Sequence, residues 1–301
     1  MRNTGEKIFK NLTILSSLVI TIITIAIFIY LIIGALPSIK KFGLKFLWNT
    51  IWDPVTEQFS ALPAIYGTII TSLLALIIGL PISLGIAIFL TEICPFRIRS
   101  TLSFIIELLG AIPSVIYGMW GLFTLSPIMQ FKVGPFLNKY LGFIPLFSGY
   151  SIGVGYLTAG IVLSIMIIPI ISSISREILS LVPKEQKEGA LALGMTKWEM
   201  IRKVEIGNAK SGIIASAILG LSRALGETMA VTMVIGNSYQ LSISLFSPGA
   251  TIASTIANEF AEAFGKLHLS SLIELALILF LITFFTIAIS RYVIIKRFEG
   301  L

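Results

Sequence analysis

Polar residues in this chain come in clusters, and long apolar stretches separate them. The stretches cover residues 11–38, 58–91, about 100–127, about 149–175, 211 to about 236 and 271–290. Roughly 20 apolar residues cross the hydrocarbon core of a bilayer, so the pattern predicts six spanning helices. The first run exceeds the apolar core of about 7–15 residues found in a signal peptide, which predicts a retained span. Pro81, flanked by Gly79 and Gly85, and Pro169 predict kinks that neighbouring helices can tolerate. Trp48 and Trp52, between the first two runs, are candidate interface anchors.

Charge orients the pattern. Fifteen of the 22 Lys and Arg residues lie at residues 1–10, 92–99, 176–210 and beyond 290, on what alternating spans make one side of the membrane. Basic loops stay in the cytoplasm, so both termini are predicted to be cytoplasmic. The composition agrees: 56% of the 301 residues are hydrophobic and 12% charged, with a mean hydropathy of +0.96. Soluble domains carry about 25% charged residues. The fold class expected is therefore an all-α integral membrane protein of six transmembrane helices. The net charge of +7 sits in short loops rather than on one face, which argues against a nucleic-acid partner.

Little in the sequence supports catalysis. No G-x-x-x-x-G-K-[ST] run occurs, so the chain has no P-loop for ATP. The sole aspartate, Asp53, and the sole histidine, His268, lie in different loops, which disfavours a triad. A single cysteine, Cys94, provides no internal disulfide, and neither it nor His268 has metal-ligating neighbours in sequence. The chain is expected to bind no metal and no cofactor of its own.

The longest polar island, residues 183–207, separates the fourth run from the fifth. Pro183 suits the first position of a helix that runs toward Leu193, and Gly194 suits its stop. Thr196 and Glu199 have the spacing of a capping box, so a second helix starts there and the island becomes a glycine elbow. Ala190, Leu191, Leu193 and Met195 interleave with the charges. Composition leaves two readings open for such a surface, docking on a partner protein or resting on lipid headgroups.

Three ionisable residues are assigned to membrane depth: Glu107, Arg223 and Glu227. A central charge costs roughly 2.5–3.5 kcal/mol even on the lower insertion scale, so each needs a partner or a purpose. Arg223 and Glu227, four residues apart, share a helix face. They form either a structural ion pair or an anion site whose guanidinium fork fits two oxygens of an oxyanion. Glu107, nearer the cytoplasmic end of its run, reads first as an interhelical hydrogen bond or a snorkelling carboxylate, and second as part of the substrate pathway.

Two sets of residues carry a family resemblance. Glu188, Gly189, Ala190 and Gly194 resemble the EAA loop of type I ABC-importer permeases, although Gly189 replaces an alanine and the tail reads Val204-Glu205-Ile206-Gly207. The run at 110–118, with Pro113 and Tyr117, and the run Arg223-Ala224-Leu225-Gly226-Glu227-Thr228-Met229-Ala230-Val231 resemble signatures of phosphate-specific ABC permeases of the C type. Tyr66-Gly67-Thr68 and Phe89-Leu90-Thr91-Glu92 agree with them.

The resemblance implies a division into an N-terminal helix and external loop (1–59), a permease core (60–295) and a cytoplasmic tail (296–301). It also implies that residues 188–195 contact a cytoplasmic ATPase that carries ATP and Mg. The further partners implied are a companion permease subunit and an external phosphate-binding protein. The host membrane is expected to be the plasma or inner membrane of a prokaryote. Rival readings are a permease for sulfate, molybdate or an organic solute, an ATP-independent secondary transporter or channel, and a membrane scaffold or signalling partner.

Overall fold

A computed structural model describes residues 2–298, and among them the protein is helical, with two isolated bridges, Asp53 to Gln58 and Gly236 to Gly249, in place of any β-strand. The main helices are α1, Arg2–Phe42; α2, Leu62–Ile88; α3, Phe96–Ala111; α4, Ser114–Leu141; α5, Tyr156–Ser180; α6, Lys184–Ala192; α7, Ile206–Leu225; α8, Met229–Val234; α9, Ile252–Glu259; and α10, Lys266–Phe298. Of the expected tail, residues 299–301 lie outside the described residues.

Among the described residues, four helices are long and apolar enough to cross a membrane: residues 6–42, 62–93, 156–180 and 266–290. The pair α3 and α4, apolar enough to cross when taken together, meets at 88° across Ile112 and Pro113, the geometry of a broken span or a re-entrant loop. The fifth predicted run departs further from expectation. Its helix starts early, at Ile206, ends at Leu225 and restarts only at Met229, so residues 211–236 do not form one continuous rod. By contrast, α2 and α5 continue unbroken through Pro81 and Pro169.

The helices sort by what surrounds them. The apolar side chains of α1 are largely uncovered, Ile20 being 67% exposed, as befits a helix whose solvent is lipid. Lipid gives apolar helices no reason to associate, so close packing and hydrogen bonds must hold them together. α1 meets α10 through Phe28 stacked on Phe280 at 5.4 Å and through the Ser38 amide, which donates to Ser270 Oγ at 3.0 Å. α5 is the central helix. It packs along α2 and against α7, and its Leu163, Ile167 and Ile171 are fully buried.

Beyond α8, the segment between the fifth and sixth apolar runs contains a helix whose first half is buried. Thr251 and Ser254 form the capping box that starts α9, and the Ile252 amide donates to Thr68 Oγ1 on α2 at 2.9 Å. The two tryptophans part company: Trp48 is exposed, while Trp52 is buried against Phe59, with ring centroids 5.0 Å apart.

Candidate functional site

Arg223 is in the last turn of α7, and Glu227 lies just past its end, in the break before α8. Gly226 closes α7, and the Glu227 amide still reaches Ala224 O at 3.4 Å. The Arg223 side chain is 52% exposed and that of Glu227 only 5%, and their closest nitrogen and oxygen are 3.4 Å apart. Charge-assisted N–H···O bonds are normally about 2.7–2.9 Å long. The pair is therefore loose, with a buried carboxylate anchoring one edge of a guanidinium whose other edge is open. Glu227 Oε1 also accepts from the Ala230 amide at 3.4 Å, which ties the carboxylate to the start of α8.

The run at 110–118 supports this break. Pro113 has no N–H, so the carbonyl of Leu109 loses its usual helical donor. The Tyr117 hydroxyl replaces it, donating to Leu109 O at 2.7 Å. Pro113 thus breaks the helix, and Tyr117, with the Ile112 amide at 3.4 Å, satisfies the carbonyl left at the break. The next residue, Gly118, admits α8: a Cβ there would lie 3.0 Å from Ala230 Cα and 2.7 Å from Met233 Sδ. The two signature runs, over a hundred residues apart in sequence, are packed together.

Glu107 is not part of that pair. It lies on α3, where Arg176 of α5 donates to its Oε1 at 2.9 Å. The hydrogen-bonded interhelical reading of Glu107 is the one the geometry matches.

The elbow forms much as its residues dictate. α6 spans Lys184–Ala192 and is stopped at Gly194, whose φ of +83° is a left-handed conformation that L side chains rarely adopt. The Met195 amide returns to Ala190 O at 3.2 Å. Thr196 and Glu199 make the reciprocal capping box, and the hydrogen bonds from the Thr196 backbone and side chain hold the Glu199 carboxyl below its ordinary pKa. Ala190 is buried and Met195 half-buried, whereas Glu188, Gly189 and Leu191 are exposed, as is Leu193 at 83%. Apolar side chains at the tip of a charged elbow form an unpartnered surface.

Sequence reasoning missed what fastens the elbow. Lys187 Nζ donates to Glu92 Oε1 at 2.7 Å and to Glu205 Oε1 at 2.8 Å. One ammonium thus pins α6 to the end of the second span and to the turn that opens α7. Glu205 is fully buried; burial raises its pKa, and so does the nearby Glu92 charge, against the pull of Lys187. For Lys187 burial works against the charge, but the hydrogen bonds and charges of Glu205 and Glu92 prevail and raise its pKa. In the sequence Glu205 reads only as part of a motif's tail.

A second omission corrects the count of intramembrane charges. Glu274 on α10 is a fourth ionisable residue inside an apolar run; it is buried, and its Oε2 has no hydrogen-bond partner. It sits one turn from Ser270 and Ser271, which hydrogen bond to Ser38 of α1. The signal was the one that flagged Glu107, a carboxylate within an uncharged stretch. On the opposite face from the elbow, His268 also has a partner: its Nε2 lies 2.8 Å from Glu259 Oε2. Glu259 accepts from the Trp52 indole as well, at 2.8 Å. Tyr239 donates to Glu259, and burial, then that hydrogen bond and charge, raise the Tyr239 pKa so that it stays a neutral donor. Among the described residues, no group of three or more His, Cys, Asp or Glu is placed to hold a metal ion.

The model of the family described as "Binding-protein-dependent transport system inner membrane component" matches residues 79–298. The phosphate transport system permease protein PstC of Haemophilus influenzae is 52% identical over 97% of this chain and 93% of its own length. The protein of the same name from Mesorhizobium japonicum is 46% identical over 97% and 90%. The probable phosphate transport system permease protein PstC of Methanocaldococcus jannaschii is 38% identical over 91% and 89%.

Among solved structures, a chain of the inward-facing MetNI methionine ABC transporter superposes with a TM-score of 0.55 over 81% of this chain and 99% of that one, at 19% identity. A chain of a bacterial ABC transporter that imports the acidic polysaccharide alginate gives 0.57 over 95% and 98%, at 18% identity. These two speak for the fold alone. The chain belongs to the binding-protein-dependent transport system inner membrane components, and within that family it stands with the phosphate transport system permease proteins PstC.

Proposed function

We propose that this chain is a permease subunit of an ATP-driven importer of inorganic phosphate and forms half of the translocation pathway. The observation that carries the reading is the Arg223–Glu227 pair, a half-exposed guanidinium held loosely beside a buried carboxylate where a helix breaks. An open guanidinium edge in a low-dielectric setting fits two oxygens of an oxyanion, and the carboxylate limits how tightly it holds them. The substrate follows from the relatives, which are named as phosphate transport system permeases.

In this reading α7 and α8 together make one span, which with α1, α2, the α3–α4 pair, α5 and α10 gives six helices and places both termini in the cytoplasm. Residues 60–295 are the permease core, residues 1–59 an added helix and external loop, and 296–301 a tail. Leu191, Leu193 and the Gly194 elbow, within the loop at 183–207, dock on a cytoplasmic ATPase dimer, where ATP and Mg reside. A companion permease completes the pathway, and an external binding protein delivers phosphate. The host membrane is the inner or plasma membrane of a prokaryote. Closure of the ATPase dimer pushes the elbow as a rigid body, and the Lys187 contacts pass that motion to α2 and α7.

Labelled-phosphate uptake at low external phosphate, in cells with and without the chain, tests the substrate. Loss on deletion with no competition from excess sulfate or molybdate is the expected result. Unchanged uptake in cells lacking another high-affinity route would move the substrate assignment to another solute.

A further inference from the structure

On the elbow side of the molecule, α3 and the end of α5 border an open cavity of about 780 Å³ lined by Phe96, Arg97, Arg99, Ser103, Glu107 and Arg176, among others. A second cavity of about 630 Å³ shares Arg99, Glu107 and Arg176 with it and has Glu177 on its wall. Ligand sites commonly occupy about 300–1,000 Å³. Arg176 is paired with Glu107 at 2.9 Å, which leaves the positive charge of Arg97 and Arg99 uncompensated in the first cavity.

Two donors in the wall lack acceptors. Arg99 Nη2 donates to Thr91 O at 2.8 Å, which fixes the guanidinium, yet its buried Nε has no partner. Ser103 is 6% exposed, and its Oγ also has none. Buried donors are seldom left unpaired. A fixed guanidinium, a second arginine, a buried hydroxyl and a carboxylate already neutralised by Arg176 together offer donors and positive charge to a tetrahedral oxyanion.

We propose that this cavity binds a phosphate group, carried either by inorganic phosphate or by the headgroup of an anionic phospholipid. As an inorganic-phosphate site it lies where the anion leaves the pathway, and in that form it rests on the importer reading. As a headgroup site it is independent of that reading.

The test uses the full chain in its assembled complex, with Arg223→Ala in place so that the Arg223 site is silent. In phosphatidylcholine nanodiscs, equilibrium binding of radiolabelled inorganic phosphate is measured with and without Arg97→Gln and Ser103→Ala. Arg97 is exposed and Ser103→Ala removes one oxygen, so neither change threatens the fold, and a melting curve checks both. A loss of at least roughly tenfold in affinity identifies inorganic phosphate as the ligand.

In discs that mix phosphatidylglycerol with phosphatidylcholine, native mass spectrometry counts the phosphatidylglycerol retained per complex. One fewer retained lipid in the variants, without any phosphate binding in the first arm, identifies the headgroup. Phosphate affinity and lipid count both unmoved by the two substitutions would overturn the proposal. Failure of the importer reading would show separately, as phosphate uptake that survives deletion of the chain in cells lacking another high-affinity route.

Discussion

At the scale of single residues, partnership decides what each ionisable group can do. Arg223 is half exposed beside a buried carboxylate, whereas Arg176 is spent on Glu107. Arg223→Ala is therefore expected to weaken phosphate uptake by one to two orders of magnitude, from the loss of charged hydrogen bonds worth about 1.5–3 kcal/mol. The complex should be recovered at wild-type yield on purification. Loss of assembly instead would make the pair a structural clamp.

Lys187 answers to the opposite logic. Its removal strands Glu205 and Glu92, and breaking a buried pair costs about 3–5 kcal/mol. Lys187→Ala should lower the melting temperature of the complex, and adding Glu205→Gln should recover much of it. The sign of the pH effect follows from Glu205, whose folded pKa is already raised by burial. Without Lys187 it rises further, so the folded state takes up a proton more readily than the unfolded chain. The deficit of the single variant should shrink as pH falls and grow as pH rises. A pH-independent deficit would show that Glu205 is not the group left stranded.

At the scale of elements, legibility depended on whether the deciding contact was local. The elbow could be read because Gly194, Thr196 and Glu199 act on their own neighbours. The break at Gly226 could not, because a glycine in an apolar run also reads as a packing residue, and α9 was hidden for want of any polar punctuation that would set it apart from a loop. The fastening by Lys187 joins residues 95 and 18 positions away, and no spacing rule reaches that far.

The elbow yields a paired prediction. Gly194→Val forces a branched side chain into a left-handed conformation, which costs about 1–2 kcal/mol, whereas asparagine tolerates it. Gly194→Val should uncouple ATP hydrolysis from transport in the purified complex, and Gly194→Asn should not. Equal coupling in both would remove the elbow from the transmission path. Tyr117→Phe tests the other element. It leaves the Leu109 carbonyl at the broken helix with only the 3.4 Å bond from the Ile112 amide and should lower stability by about 1 kcal/mol, seen as a drop in the melting temperature of the complex.

At the scale of the whole molecule, the alternation of apolar runs and basic loops correctly foretold a multi-pass helical protein. It blurred wherever a helix breaks, as between α3 and α4 and between α7 and α8. The six-span arrangement can be checked with single cysteines introduced in a Cys94→Ala background. A cysteine at Glu262 should react with an impermeant thiol reagent in intact cells, and one at Glu6 only after permeabilisation. Reaction of both in intact cells would break the topology.

The central claim is that the chain carries phosphate past Arg223 under the drive of ATP. The most direct measurement reconstitutes the complete complex in liposomes, with ATP on the elbow side and labelled phosphate with its binding protein on the other. The account predicts ATP-dependent phosphate accumulation that sulfate does not compete with and that Arg223→Ala nearly abolishes while ATP hydrolysis continues. Accumulation by the Arg223→Ala complex at the wild-type rate would contradict it.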